Sequence, residues 1–165
     1  MKTKTQKIVI ASMLAALCCT ATMIIKIPSP LKGYINLGDC VVLLSGWLLS
    51  PMYAFLCAGA GSALADIFSG YVVYAPATFV IKGIMAIIAY LCQKCFSNKF
   101  GNTPARVIGG IFAEIAMILG YFVFEGFLYG FAPSVINIPP NAVQGIAGII
   151  IGIILIKIFE KTKMF

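Results

Sequence analysis

Apolar positions along this chain fall in long runs, with no two-residue alternation and no narrow helical stripe. The runs cover about residues 8–27, 40–49, 52–68, 76–92, 106–129 and 140–158. A helix that crosses a bilayer needs about 20 mainly apolar residues, within a range of about 17–25. The run 40–49 is short and is closed by Ser50-Pro51. Between the first two runs, the stretch from Pro28 to Asp39 holds two prolines and two glycines, which argue against a continuous helix. The pattern predicts an all-α integral membrane protein, a six-transmembrane-helix bundle forming a single membrane domain over residues 1–165. Fusing 40–49 with 52–68 into one kinked span is the alternative.

Charge decides between the two. With six spans, Lys2, Lys4 and Lys7, then Lys94, Lys99 and Arg106, then Lys157, Lys161 and Lys163 share one side. The other side keeps Lys26 and Lys32, and Lys82 falls inside the fourth span. Cytoplasmic loops carry the excess of Lys and Arg, so both termini are expected in the cytoplasm. Fusion would move Lys94, Lys99 and Arg106 outside. Six spans leave 28–39, 69–75 and 131–139 as outward loops.

Composition narrows the function. The chain is 61% hydrophobic and 10% charged, where a soluble domain has about 45–50% apolar and about 25% charged residues. A soluble enzyme, a disordered tail and a secreted disulfide scaffold are excluded. Histidine is absent, which removes the commonest general base and metal ligand. No glycine-rich phosphate loop of the G-x-x-x-x-G-K-[ST] type occurs, so energised work would draw on a partner. Cys92-Gln-Lys-Cys95 is a lone pair, where zinc would need a second pair. No catalytic residue, metal site or cofactor is expected. The run from Ile8 to Ile25 exceeds a signal-peptide core of about 7–15 residues and reads as a retained helix.

Charges inside a membrane cost at least about 2.5–3.5 kcal/mol each on insertion scales, so Asp66, Lys82, Glu114 and Glu125 each call for a reason. Lys82 falls about 9 Å inside the outer end of its span at helical rise, Glu125 at comparable depth, and Asp66 near the outer end of its own span. Either Lys82 pairs with Glu125 or Asp66, or some of these groups line an outward pocket. Asn36, Asp39, Tyr71, Tyr74, Tyr121, Asn141 and Gln144 map to the same end. Trp47 is expected as an interface anchor. Small residues form faces at Ala11-x-x-x-Ala15, at 58–63 and at Gly145, Gly148 and Gly152, of the kind that lets helices approach closely. The first of these is expected to be the freest to meet a partner.

The chain resembles the substrate-binding S components of energy-coupling factor (ECF) vitamin transporters. The resemblance is carried by the Ala11-x-x-x-Ala15 face, by Gly33-Tyr34-Ile35-Asn36-Leu37-Gly38-Asp39 and by the string from Tyr74 to Gly83. Gly120-Tyr121-Phe122 with Glu125, and Asn141-x-x-Gln144-Gly145, complete it. It implies a six-helix subunit that binds a vitamin or precursor from outside under a capping first loop. It also implies assembly with a transmembrane coupling subunit and two cytoplasmic ATPases, and toppling of the subunit to carry substrate inward. Ala11 and Ala15 would be the partner interface. The subgroup it looks most like is the riboflavin, pyridoxine or hydroxymethylpyrimidine type. Tyrosines can stack a small heteroaromatic ring while amides meet its polar edge. The expected substrate-binding residues are Asn36, Asp39, Tyr74, Lys82, Tyr121, Glu125, Asn141 and Gln144. Glu125 or Asp39 would face a protonated ring nitrogen and Lys82 a phenolate or hydroxyl, favouring a pyridoxine or hydroxymethylpyrimidine ligand over a flavin. An intramembrane enzyme and a solitary carrier are the competing readings.

Overall fold

The computed structural model describes residues 4–29 and 34–162. The expectations that fall on Lys2, Lys32, Gly33 and Lys163 lie outside the described residues. In order, the elements are α1 (Lys4–Ile24), strands β1 (Ile27–Pro28) and β2 (Tyr34–Ile35), α2 (Gly38–Leu48), α3 (Pro51–Phe68), α4 (Ala75–Phe100), α5 (Asn102–Tyr129), α6 (Phe131–Ser134), a 3-10 turn (Val135–Asn137) and α7 (Ile138–Lys161). Five helical stretches are long and apolar enough to cross a membrane: α1, α3, α4, α5 and the continuous Phe131–Lys161.

α2 is different. It has 11 residues, about 16 Å at helical rise, roughly half the hydrocarbon thickness. Every residue from Gly38 to Trp47 is buried. A helix apolar on all sides belongs inside a bundle, and α2 packs against α7, α4, α1 and α3. Small residues allow this. A Cβ at Gly46 would stand 2.5 Å from the Ala86 carbonyl oxygen and 2.8 Å from the Ala89 Cβ of α4. The outer surface is apolar instead: Met13, Leu56, Val80, Leu119, Val123 and Ile150 are exposed. Asp39, Lys82, Glu114 and Gln144 are buried within. This inversion of the soluble pattern is the arrangement that a hydrocarbon surrounding stabilises.

Three expectations are corrected here. Residues 131–139 are helical, because a proline in the first helical turn gives up no hydrogen bond and Pro139 and Pro140 stand at the start of α7. The fourth and fifth helices run on to Phe100 and back to Asn102, separated by Gly101 at φ +85°, a left-handed turn that suits glycine. The small face of α1 is turned inward: Leu14 and Cys18 are buried, Ala11 and Ala15 are half-buried, and a Cβ at Gly61 of α3 would meet the Ala15 carbonyl oxygen at 2.5 Å. Helix α1 leaves Met13, Ala16, Leu17 and Thr20 facing outward. The first loop also holds more order than expected, since β1 and β2 pair antiparallel with Ile27 opposite Ile35 and Pro28 opposite Tyr34.

The tight α2–α4 contact makes Gly46→Val an overpacking variant. It should lower stability by about 1–3 kcal/mol, read as a depressed unfolding midpoint in detergent, whereas Val80→Ala on the exposed side should change it little.

Candidate binding cavity

A narrow cavity of about 40 Å³ opens at one end of the bundle. Its wall begins where α3 stops. Gly70, at φ +83°, turns the chain, and the Tyr71 N–H donates to the Asp66 carbonyl oxygen at 2.8 Å. The turn delivers Tyr71 and Tyr74 to the cavity. Tyr34 of the hairpin stacks at 5.0 Å between ring centroids on Tyr71, which meets Tyr74 edge-on at 6.2 Å; Tyr74 meets Phe124 at 5.3 Å. Offset and edge-to-face contacts of this kind hold rings in fixed orientations. Tyr121 on α5 adds a further ring, its hydroxyl 3.0 Å from Thr78 Oγ1.

Two carboxylates stand among these rings. Asp66 accepts a hydrogen bond from the Tyr34 hydroxyl at 2.7 Å. Burial, and then the Asp66 carboxylate beside it, raise the Tyr34 phenol above its ordinary value, so it stays a donor. Glu125 Oε1 accepts from Asn137 Nδ2 at 2.8 Å and from the Tyr74 hydroxyl at 3.3 Å. Glu125 Oε2 is buried with no hydrogen-bond partner. The lining contains no Lys or Arg among the described residues.

Beneath the cavity lies a charged floor. Lys82 of α4 donates to Asp39 Oδ1 of α2, and both are almost wholly buried. The other Asp39 oxygen accepts from Gln144 Nε2 at 2.6 Å. Gln144 Oε1 in turn accepts from the Asn36 backbone N–H at 2.9 Å, and the Asn36 side chain caps the first residue of α2 through the Gly38 N–H at 2.8 Å. Lys82 Nζ sits 5.5 Å from the Tyr121 ring centroid. One buried ion pair thereby fixes Gln144, Asn36 and Tyr121, all of which face the cavity. Glu114 lies nearby with both carboxylate oxygens unpartnered, held against Gly145 and Gly148, where a Cβ would come within 2.9 Å and 3.2 Å of them.

The structure places Asn36, Tyr74, Tyr121, Glu125, Asn141 and Gln144 on the cavity wall. Asp39 and Lys82 stand behind it. The expected pairing of Lys82 with Glu125 or Asp66 is corrected: its partner is Asp39, which α2 carries into the bundle opposite α4. Trp47 is no interface anchor. It is buried, its ring 3.3 Å from the position of a Gly152 Cβ. Sequence reasoning left Ser29, Tyr34, Asp66, Tyr71, Thr78 and Asn137 out of the site. Asp66 carried a signal as an intramembrane charge, and Tyr34 and Tyr71 stood in outward loops. Ser29 and Asn137 also stood in outward loops and Thr78 in the string from Tyr74 to Gly83, but their residue types did not single them out.

Comparison with known proteins gives concordant results. The family described as the S component of the ECF-type riboflavin transporter matches residues 2–161. A protein of Pyrococcus woesei, described only as an uncharacterised protein in a gap 3' region, is 37% identical over 79% of this chain and 86% of its own length. The thiamine precursor transporter HmpT of Lactococcus lactis is 23% identical, over 82% of this chain and 75% of its own. A solved structure described as the S component of a bacterial ECF transporter superposes with a TM-score of 0.78 at 25% identity, covering 97% of this chain and 98% of that one.

Breaking a buried ion pair costs more than replacing it, about 3–5 kcal/mol when one partner is removed. Lys82→Met should therefore lower the unfolding midpoint sharply. Lys82→Met combined with Asp39→Asn should recover part of the loss, as a double-mutant cycle of thermal unfolding would show.

Proposed function

We propose, from the premise that the chain belongs to the ECF-type riboflavin transporter S-component family, that it captures a small, donor-rich heteroaromatic vitamin precursor for import. It is a multi-pass protein of the cell membrane and, as a transporter component, not by itself an enzyme. In our reading the chain makes six passes with both termini in the cytoplasm, α2 serving as the short second pass, and the cavity opens outward. The whole chain acts as one membrane domain. A transmembrane coupling subunit and two cytoplasmic ATPases supply the energy. Helix α1 is the surface offered to the coupling subunit, with Ala11 and Ala15 holding it close on α3 and its outward side chains making the contact.

The observation that carries the ligand class is the Glu125 carboxylate, buried in the cavity wall with Oε2 unpartnered, in a lining that holds a second acid, Asp66, and no cation. A buried carboxylate calls for a donor, and a charge-assisted hydrogen bond is the strong form of that contact. A protonated aminopyrimidine or pyridine ring supplies one. The dione edge of a flavin offers one neutral N–H flanked by two carbonyl oxygens, a weaker match to two acids than a protonated ring nitrogen beside an amino group. Tyr74 and Tyr121 stack the ring, Asn36, Asn141 and Gln144 meet its polar edge, and Asp39 with Lys82 set their positions. The relationship to a thiamine precursor transporter points the same way. We therefore favour a ligand of the hydroxymethylpyrimidine or pyridoxine type.

Thermal unfolding of the purified protein against hydroxymethylpyrimidine, pyridoxine and riboflavin tests the reading. A ligand at 100 times its Kd adds about 2.7 kcal/mol of apparent stability, so the correct one should raise the midpoint visibly without ATP. Glu125→Gln should weaken it about tenfold or more, the loss of roughly one charge-assisted bond. A shift with riboflavin alone, or an unchanged affinity in Glu125→Gln, would reject this ligand class.

A further inference from the structure

A second cavity of about 220 Å³ lies at the opposite end of the bundle, between α2 and the last third of α4. It is lined by Trp47, Tyr90, Gln93, Lys94 and Ser97. Each lining side chain except the apolar face of Trp47 offers a hydrogen-bond donor, and no acid is present. Two further donors at this end have no partner: the indole Nε1 of Trp47 and the Nε of Arg106, both on buried side chains. The Arg106 guanidinium lies 6.0 Å from the Trp47 ring centroid. Its Nη2 holds Glu160 at 2.7 Å, so the nearest described acid is already committed. Lys94 Nζ rests 5.9 Å from the Tyr90 ring centroid, exposed at the cavity mouth.

Depth identifies the occupant. Helix α4 has 26 residues, about 39 Å at helical rise, against a hydrocarbon core of about 30 Å. About 9 Å of it, a little under two turns, therefore leaves the hydrocarbon, so the boundary with the lipid headgroups falls between Tyr90 and Ser97. Leu91, on the same turn, is exposed on the lipid side. Basic pockets between helices at that depth suit anionic headgroups, and aromatic rings with a long Lys stem suit the boundary beside them.

We propose that this cavity is a binding site for the headgroup phosphate of an anionic phospholipid. Lys94 pairs with the phosphate, Ser97, Tyr90 and Gln93 donate to its oxygens, the Tyr90 ring covers the glycerol, and the buried Trp47 closes the inner wall. The site is separate from the vitamin cavity and stands whether or not the ligand reading above holds.

Native mass spectrometry of the full chain in mixed micelles tests it, with dioleoylphosphatidylglycerol, dioleoylphosphatidylcholine and inorganic phosphate as probes. One phosphatidylglycerol should be retained per chain in preference to phosphatidylcholine. Lys94→Gln should weaken its retention about fivefold, the share of one lysine at an anionic surface. Lys99→Gln, which changes a cation at the same end outside the cavity, should not. Ser97→Ala, which removes only a hydroxyl, should weaken retention to a smaller extent and serves if Lys94→Gln disturbs the fold. Equal retention of the two lipids, or undiminished retention in both cavity variants, would overturn the proposal. So would full displacement of phosphatidylglycerol by millimolar inorganic phosphate, which would assign the site to free phosphate.

Discussion

The Asp39–Lys82 pair is the constraint around which this bundle is organised. Each charge would be costly alone in a membrane interior, and pairing offsets that cost. Helix α2 is kept at the centre, and in register with α4, by the need to bring Asp39 to Lys82. Gln144 on α7 ties a third helix to the same carboxylate. The glycines make the approach possible, with Gly46 against the α4 backbone and Gly148 against the Asp39 Cβ. A structure whose exterior is uniformly apolar gains nothing from hiding hydrocarbon from lipid. Its specificity rests on close packing and on polar groups that must find each other.

The same logic separates support from recognition. Polar side chains in the upper half of the bundle fall into two layers. In the lower layer Asp39 and Lys82 pair with each other and hold the shape, with the unpartnered Glu114 carboxylate beside them. The upper layer of Tyr34, Asp66, Tyr74, Glu125 and Asn137 is linked by hydrogen bonds along the wall of the cavity. One carboxylate oxygen in it is left without a partner. An unpaired acceptor of that kind is costly in isolation, and a ligand is a natural reason to keep it.

Much of this was legible in the chain. Long apolar runs announce the spanning helices, and Ser50-Pro51 marks the break before α3 because proline at a first helical position ends one element and begins another. The convergence of Tyr74, Tyr121, Glu125, Asn141 and Gln144 at one end follows from counting residues along each run. What the chain could not display is which helices touch. Asp39 read as a loop residue because Pro28 to Gly38 is rich in breakers, and its burial depends on α2 being enclosed on every side. Trp47 read as an anchor for the same reason: its depth along the helix was visible, its azimuth was not. Pro139 read as the end of a loop and Pro140 as the start of a helix, whereas both stand in the first turn of a helix that begins at Ile138. Ser29, Thr78 and Asn137 are ordinary polar residues until the hairpin and the α6–α7 junction bring them to the wall.

The hairpin between α1 and α2 is tethered at Tyr34 to Asp66, at Ser29 to Asn137 and at the Asn36 backbone to Gln144. Each anchor point is itself part of the cavity wall. Under the proposed function, recognition draws on the same donors and acceptors that hold the described ends of the hairpin in place, so a ligand's affinity is the difference between two sets of bonds.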